Sequence, residues 1–264
     1  MHTIALVSQK GGSGKSTLAI GLAIAAMQDG HKVCLLETDP QGTVSKWRRR
    51  RTHSEPVVET ISAGYEIEQK LSLLRHNGVT LTIIDTAGGI NAATAEAIRA
   101  SDLCLIPARP SPADIEAAAP MLNAVRTLDK PFAFILNQTP GRSQRPNIAA
   151  AALGEASISR HETPCNETSR DETSRDETSC DETSCDETWL NDMGMLALPY
   201  IVLRNDQQDA LGAGLAVTEY ALQGKSAEEI RRLWLWVRIK LTFGPPAFAR
   251  PESGAARRNV GALS

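Results

Sequence analysis

Residues 9–17 read Gln9-Lys10-Gly11-Gly12-Ser13-Gly14-Lys15-Ser16-Thr17, placed between an apolar, strand-like run and an alanine-rich, helical run. Three glycines in four positions let successive backbone N–H groups turn inward without Cβ clashes. The helix that opens at Lys15 points the positive end of its dipole at the same spot. A strand–loop–helix unit of this kind needs a sheet to lie on, which restricts the chain to a layered α/β architecture. Chemically the loop reads as a phosphate cradle. Gly11, Gly12, Ser13 and Gly14 offer backbone donors, and Lys15 offers charge to the outer phosphates. The Ser16 hydroxyl is a candidate ligand for Mg²⁺, and Thr17 lies where an inner phosphate would be.

The rest of the chain agrees with that restriction. Short apolar runs at 3–8, 32–37, 79–85, 102–108, 131–137 and 195–199 predict strands. Helical patterns at 15–28, 92–100, 113–128, 147–156, 207–222 and 227–241 alternate with them. Near-continuous apolar strands separated by helices predict a mainly parallel sheet flanked by helices on both faces. With 264 residues the chain can bury one sizeable core. Its longest apolar run, 17–27, is far short of the roughly 18 residues a membrane span needs. The N-terminus has no basic region followed by a long apolar stretch, so the expected location is the cytoplasm. Cys34 and Cys104 fall within strand-like runs and read as small buried hydrophobes.

Two further strands end in acid. Leu35-Leu36-Glu37-Thr38-Asp39-Pro40-Gln41-Gly42 closes the second, and Leu81-Thr82-Ile83-Ile84-Asp85-Thr86-Ala87-Gly88-Gly89 closes the third. A carboxylate at the C-terminal end of such a strand faces the crevice where α/β sheets bind ligands. Asp85 is placed to hold Mg²⁺, directly or through water.

The loop departs from the common form of the phosphate-binding motif. Gln9 stands where that form has its first glycine, and an additional lysine, Lys10, follows it. In this the sequence resembles the deviant Walker A group of dimeric ATPases, the ParA/MinD family, and within it the small plasmid-type partition proteins. The resemblance extends over most of the chain outside 161–188 and the tail. It implies ATP and Mg²⁺ as ligands and an ATP-dependent homodimer closed face to face. It implies that Lys10 reaches the partner's nucleotide, that Asp39 orients the attacking water, and that Asn137 approaches the adenine. It further implies non-specific DNA binding in the ATP state, nucleoid association, and a centromere-binding adaptor protein of the ParB/ParG type. Residues 106–114, 198–204 and 213–217 resemble other stretches of the family. Glu37 stands where the family pattern has aspartate.

The alternative is a membrane-cycling or cargo-positioning ATPase of the MinD kind, which requires a C-terminal amphipathic anchor. Residues 231–241 hold two tryptophans and four basic residues. However, Ile230, Leu233, Trp234, Val237 and Leu241 form one helical stripe, as a closing core helix would, so a membrane role is disfavoured. A third class on this fold, the iron–sulfur reductases, requires cysteines on loops at a dimer axis, and Cys34 and Cys104 are in strands.

Residues 161–188 form a five-residue repeat without Leu, Ile, Val, Met or an aromatic residue, and their net charge is −8. Such text buries nothing to offset its ordering entropy, so a disordered insertion is expected. Taking the proline-rich tail at 243–264 as disordered too leaves 1–242 as a single, interrupted ATPase domain. The overall charge of −3 conceals a net +5 outside the repeat, which is compatible with a polyanion partner. The basic candidates for DNA are Arg204, Arg231, Arg232, Arg238 and Lys240.

Overall fold

The computed structural model describes residues 1–141, 144–158 and 196–243. The repeat at 161–188 and the tail beyond 243 lie outside the described residues. Seven strands form one sheet in which every pairing is parallel: β1 (His2–Ser8), β2 (Val33–Glu37), β3 (Val57–Thr60), β4 (Leu81–Gly88), β5 (Leu103–Ala108), β6 (Phe132–Leu136) and β7 (Leu196–Ala197). Their order is β3-β2-β4-β1-β5-β6-β7. The expected parallel, helix-flanked sheet is therefore present.

Side chains alternate across the sheet and divide the core in two. Ile4 and Leu6 of β1, Leu35 of β2, Ile83 of β4 and Leu105 of β5 face one cluster; Ala5, Val7, Leu36, Ile84 and Ile106 face the other. The first cluster is closed by α1 (Lys15–Gln28), α2 (Thr43–Arg50), α8 (Asn205–Gly212), α9 (Val217–Tyr220) and α10 (Lys225–Phe243). The second is closed by α3 (Glu66–His76), α4 (Ala92–Ala100), α6 (Ala119–Thr127) and α7 (Arg145–Ile158). A five-residue helix, α5 (Pro112–Glu116), precedes α6.

Helix α1 is apolar on all sides because it is enclosed on all sides: every residue from Leu18 to Ala26 is buried. Gly21 lets α10 approach, since a Cβ there would stand 3.3 Å from Ile230 Cγ2. In α10 the anticipated stripe is the buried one, with Ile230, Leu233, Trp234 and Val237 in the core, while Leu235 and Ile239 are exposed. Trp234 Nε1 and Arg238 both donate to Asp29, which anchors α10 to the end of α1. The stripe of Ile230, Leu233, Trp234 and Val237 is thus spent on the core.

Several elements differ from expectation. Pro120 cannot donate to the preceding turn, so the helix expected over 113–128 breaks into α5 and α6. Gly214, at φ 72°, ends the helix expected over 207–222, and α9 restarts three residues later. Residues 43–76 carry α2, β3 and α3, none of which was anticipated. Helix α2 has only Val44 and Trp47 as large apolar residues, and β3 is a half-exposed edge strand. Helix α3 buries the stripe of Ile67, Leu71 and Leu74.

Candidate nucleotide site

Strand order brings the C-terminal ends of β1, β2 and β4 side by side, and the three motifs meet there. Within the loop after β1, one hydroxyl gathers three contacts. Ser8 Oγ accepts from Lys15 Nζ at 2.8 Å and from Ser13 Oγ at 2.9 Å, and donates to the Lys10 carbonyl at 2.9 Å. Gly12 and Gly14 have φ of 76° and 94°, conformations that side chains resist. At Gly14 there is also no space: a Cβ would lie 2.1 Å from Asn137 Nδ2. No side chain caps α1 at Gly14, so the first amides of the helix are left for an anion. Ser16 and Thr17 lie in that first turn.

Lys15 is buried, and burial lowers its pKa; Asp85 and Asp39 act in the opposite direction. Asp85 is wholly buried within β4, which runs three residues past it to Gly88, and burial pushes its pKa up to about 7, against the hydrogen bond from Ser16 and the charge of Lys15. Its Oδ2 accepts from Ser16 Oγ at 2.6 Å, while Oδ1 is buried with no hydrogen-bond partner among the described residues. A buried carboxylate oxygen without a donor, beside a serine hydroxyl, is a donor set suited to a hard cation such as Mg²⁺.

Asp39 follows β2, partly exposed, on the same side of the sheet. Its Oδ1 accepts from the Gln41 N–H at 2.9 Å and fixes the turn. Thr38 N–H donates to the Asp85 carbonyl at 2.9 Å, tying the two acid-bearing loops together. Glu37, the departure from the family pattern, does something sequence reasoning missed. It is buried, and its carboxylate accepts from Val44 N–H at 2.6 Å, Ser45 N–H at 3.0 Å and the Ser45 hydroxyl. Those are N–H groups of the first turn of α2, which Glu37 caps from the preceding strand.

Lys10 is exposed at the lip of the site. Its Nζ donates to the Ala113 carbonyl at 2.8 Å and lies 3.9 Å from Asp114 Oδ1. Arg109 Nε lies 3.4 Å from the same carboxylate, so residues 106–114 border the phosphate loop. Asn137 is buried just beyond β6, and its Nδ2 donates to the Ser13 carbonyl at 2.8 Å. Gln138 adjoins it and donates to the Gly12 carbonyl at 3.0 Å. The two amides buttress the loop from behind, a contact across more than 120 residues with no local sequence signal.

The five basic candidates for DNA fare unevenly. Arg204 is forked onto Glu229 at 2.7 and 2.8 Å. Arg238 holds Asp29, Arg231 donates to the Leu222 carbonyl, and Lys240 lies over the Trp236 ring. Arg232 is exposed. Cys34 and Cys104 are buried free thiols whose pKa values burial raises to about 12 and about 11. No helix among the described residues is long and apolar enough to cross a membrane.

Comparison with known proteins gives a consistent result. A family model described as the CobQ/CobB/MinD/ParA nucleotide binding domain matches residues 4–176. The chain is 33% identical over 121 residues to the maintenance of carboxysome distribution protein A of Gloeobacter kilaueensis, covering 43% of this chain and 52% of that protein. It is 28% identical over 148 residues to the chromosome partitioning protein ParA of Caulobacter vibrioides, covering 40% of this chain and 55% of that protein. The chain thus spans about half the length of these curated relatives. Among solved structures, apo McdA of Cyanthece superposes with a TM-score of 0.62 at 17% identity, covering 88% of this chain and 99% of that one.

Proposed function

The chain belongs to the CobQ/CobB/MinD/ParA nucleotide-binding family, and from that premise we propose that it is an ATP-hydrolysing partition protein. In this reading it dimerises with Mg-ATP, associates with DNA without regard to sequence, and segregates a plasmid or chromosome in the cytoplasm with a centromere-binding adaptor of the ParB/ParG type. Residues 1–242 form the ATPase domain, interrupted by the 161–188 repeat.

One observation carries the nucleotide part of the reading: Asp85 Oδ1, buried beside Ser16 and without a partner among the described residues, under a loop whose helix start has no side-chain cap among them. Gly11, Gly12, Ser13 and Gly14 present backbone N–H groups to the phosphates, and Lys15 leaves Ser8 to neutralise the outer ones. Ser16 and Asp85 would hold Mg²⁺, which when bound spreads charge across the phosphate oxygens. Asp39 orients the attacking water. Lys10 exchanges Asp114 for the nucleotide of a second copy, adding a cation to the phosphates only when two subunits close. Asn137 keeps the loop in shape and borders the base.

The relatives named for carboxysome distribution and for chromosome partitioning differ in cargo, so the cargo is chosen outside the nucleotide site. Co-sedimentation with non-specific duplex DNA, in ATP and in ADP at one moderate salt concentration, tests the DNA step. ATP-dependent binding supports partition. Loss of binding in both states, with ATP hydrolysis intact, transfers the reading to a positioner of protein cargo.

A further inference from the structure

We propose that the outer face of α2 is the surface that meets the DNA backbone, an inference that rests on the partition reading above and gives it an address. Residues 40–54 hold five Lys or Arg and no Asp or Glu. The fold sorts these charges. Val44 and Trp47 turn inward and are fully buried. Arg51 also turns inward, forked onto Glu219 at 2.7 Å through both terminal nitrogens. Arg48 is half-buried and donates to the Ser54 carbonyl at 3.0 Å. Lys46, Arg49 and Arg50 remain, at i, i+3 and i+4, on one exposed helix face. None of the three has an ion pair or side-chain hydrogen bond among the described residues. Helix α8 packs beside α2 and brings Asp206 and Asp209. Asp206 accepts from Ser226, and neither acid pairs with the three cations.

The base of the patch is closely packed. The backbone of Arg50 abuts Gly214, where a Cβ would lie 2.5 Å from the Arg50 carbonyl carbon. Trp47 Nε1 donates to the Leu215 carbonyl at 3.1 Å. The three charges are therefore presented on a packed scaffold, unlike cations on a loose tail, and less side-chain and backbone order has to be imposed on binding. By contrast, four of the five basic residues that sequence singled out are already engaged with their own chain.

The chemistry of the patch selects its partner. Both large apolar residues of α2 are fully buried, so the helix has no apolar face to insert among lipids. It exposes no aromatic ring, so it offers no platform for unstacked bases. What remains is three neighbouring cations, suited to the phosphates of a duplex and blind to its sequence.

The test compares the wild-type chain with the triple variant Lys46→Ala, Arg49→Ala, Arg50→Ala, both loaded with ATP and titrated with non-specific duplex DNA over a range of salt. The expected loss in affinity is roughly tenfold or more at about 100 mM salt, and the slope of log K against log salt should flatten by about 2 to 3. The charge-preserving variant Lys46→Arg, Arg49→Lys, Arg50→Lys should bind as wild type does, which separates charge from helix folding. An alanine variant with unchanged affinity and slope, while wild type binds, overturns this surface and leaves the partition reading standing. Wild-type protein that binds no DNA in any nucleotide state overturns the partition reading itself. Binding of the patch to anionic vesicles or an acidic peptide in place of DNA also overturns the proposal.

Discussion

Ser16 Oγ, in the first turn of α1, donates to Asp85 Oδ2 across 2.6 Å, joining a helix start to a strand residue 69 positions further along the sequence. Burial presses the Asp85 carboxyl toward its neutral form, and a cation would hold it charged. Asp85→Ala should therefore remove the dependence of ATP affinity on Mg²⁺. Calorimetric titration of ATP into wild type should show clearly tighter binding with Mg²⁺ than with a chelator. In the variant the two curves should coincide. A variant that retains the full Mg²⁺ effect would place the cation elsewhere.

Lys15 is buried on Ser8 with no carboxylate in direct contact among the described residues. Its charge is desolvated and only distantly offset, an arrangement that favours binding of an anion. Lys15→Ala should lower ATP affinity by roughly a hundredfold or more, corresponding to about 3 kcal/mol of charge-assisted contacts. The melting temperature of the ligand-free protein should change little or rise, because a desolvated charge is removed. Unchanged ATP affinity would refute the phosphate-loop assignment.

Asp39 stands at the mouth of the site, and its Oδ1 holds the Gln41 amide. If it orients water, Asp39→Ala should bind ATP but not turn it over, and the dimer should accumulate. Sizing chromatography in ATP should shift the variant to twice the monomer mass and leave it monomeric in ADP. A variant that elutes as a monomer in ATP would count against both the role of Asp39 and the ATP-gated dimer.

Glu37 invites a test in which the family's own residue is the perturbation. Its longer side chain reaches the first turn of α2 and accepts from Val44 and Ser45. Glu37→Asp withdraws the carboxylate by a methylene and should cost about 1–2 kcal/mol, the usual worth of a helix cap. Glu37→Ala should cost more, about 3 kcal/mol, since the buried Val44 amide then has no acceptor. Urea denaturation would measure both. If aspartate is as stable as glutamate, the cap is not what this position supplies.

These residues also mark how much of the molecule could be read in advance. The meeting of the glycine-rich loop, Asp39 and Asp85 at the C-terminal end of the sheet was legible because each motif is written in adjacent residues: glycines before a lysine, apolar runs before an acid. The sheet was legible because a doubly covered parallel strand is a continuous apolar run. The grip of Asn137 and Gln138 on the loop was not legible, since it links residues 124 and 126 positions apart and depends on where β6 lies beside β1's loop. The same holds for Glu37, whose partners become neighbours only once α2 folds back over β2. Helix α2 was hidden because two apolar residues among charges give little periodic signal, even though Trp47 is fully buried.

Arg51 and Glu219, like Asn137 and Ser13, join distant segments, and here the consequence can be followed with pH. The Arg51 side chain is 2% exposed and its guanidinium is forked onto Glu219, which also accepts from the Ala216 N–H at 2.9 Å. Burial tends to raise the Glu219 pKa, but the Arg51 and Ala216 hydrogen bonds and the Arg51 charge prevail and lower it below 4.5. A carboxylate depressed in the folded state contributes stability above its unfolded pKa, and that contribution is lost as pH falls through the folded value. Glu219→Gln should thus cost about 3 kcal/mol near neutral pH, because Arg51 is left as an uncompensated buried charge. The gap between wild type and variant, read from urea midpoints, should hold from pH 8 down to about pH 5 and narrow below the ordinary glutamate value of 4.5. A gap that stays constant into the acid range would mean that shape, not charge, holds α2 to α9.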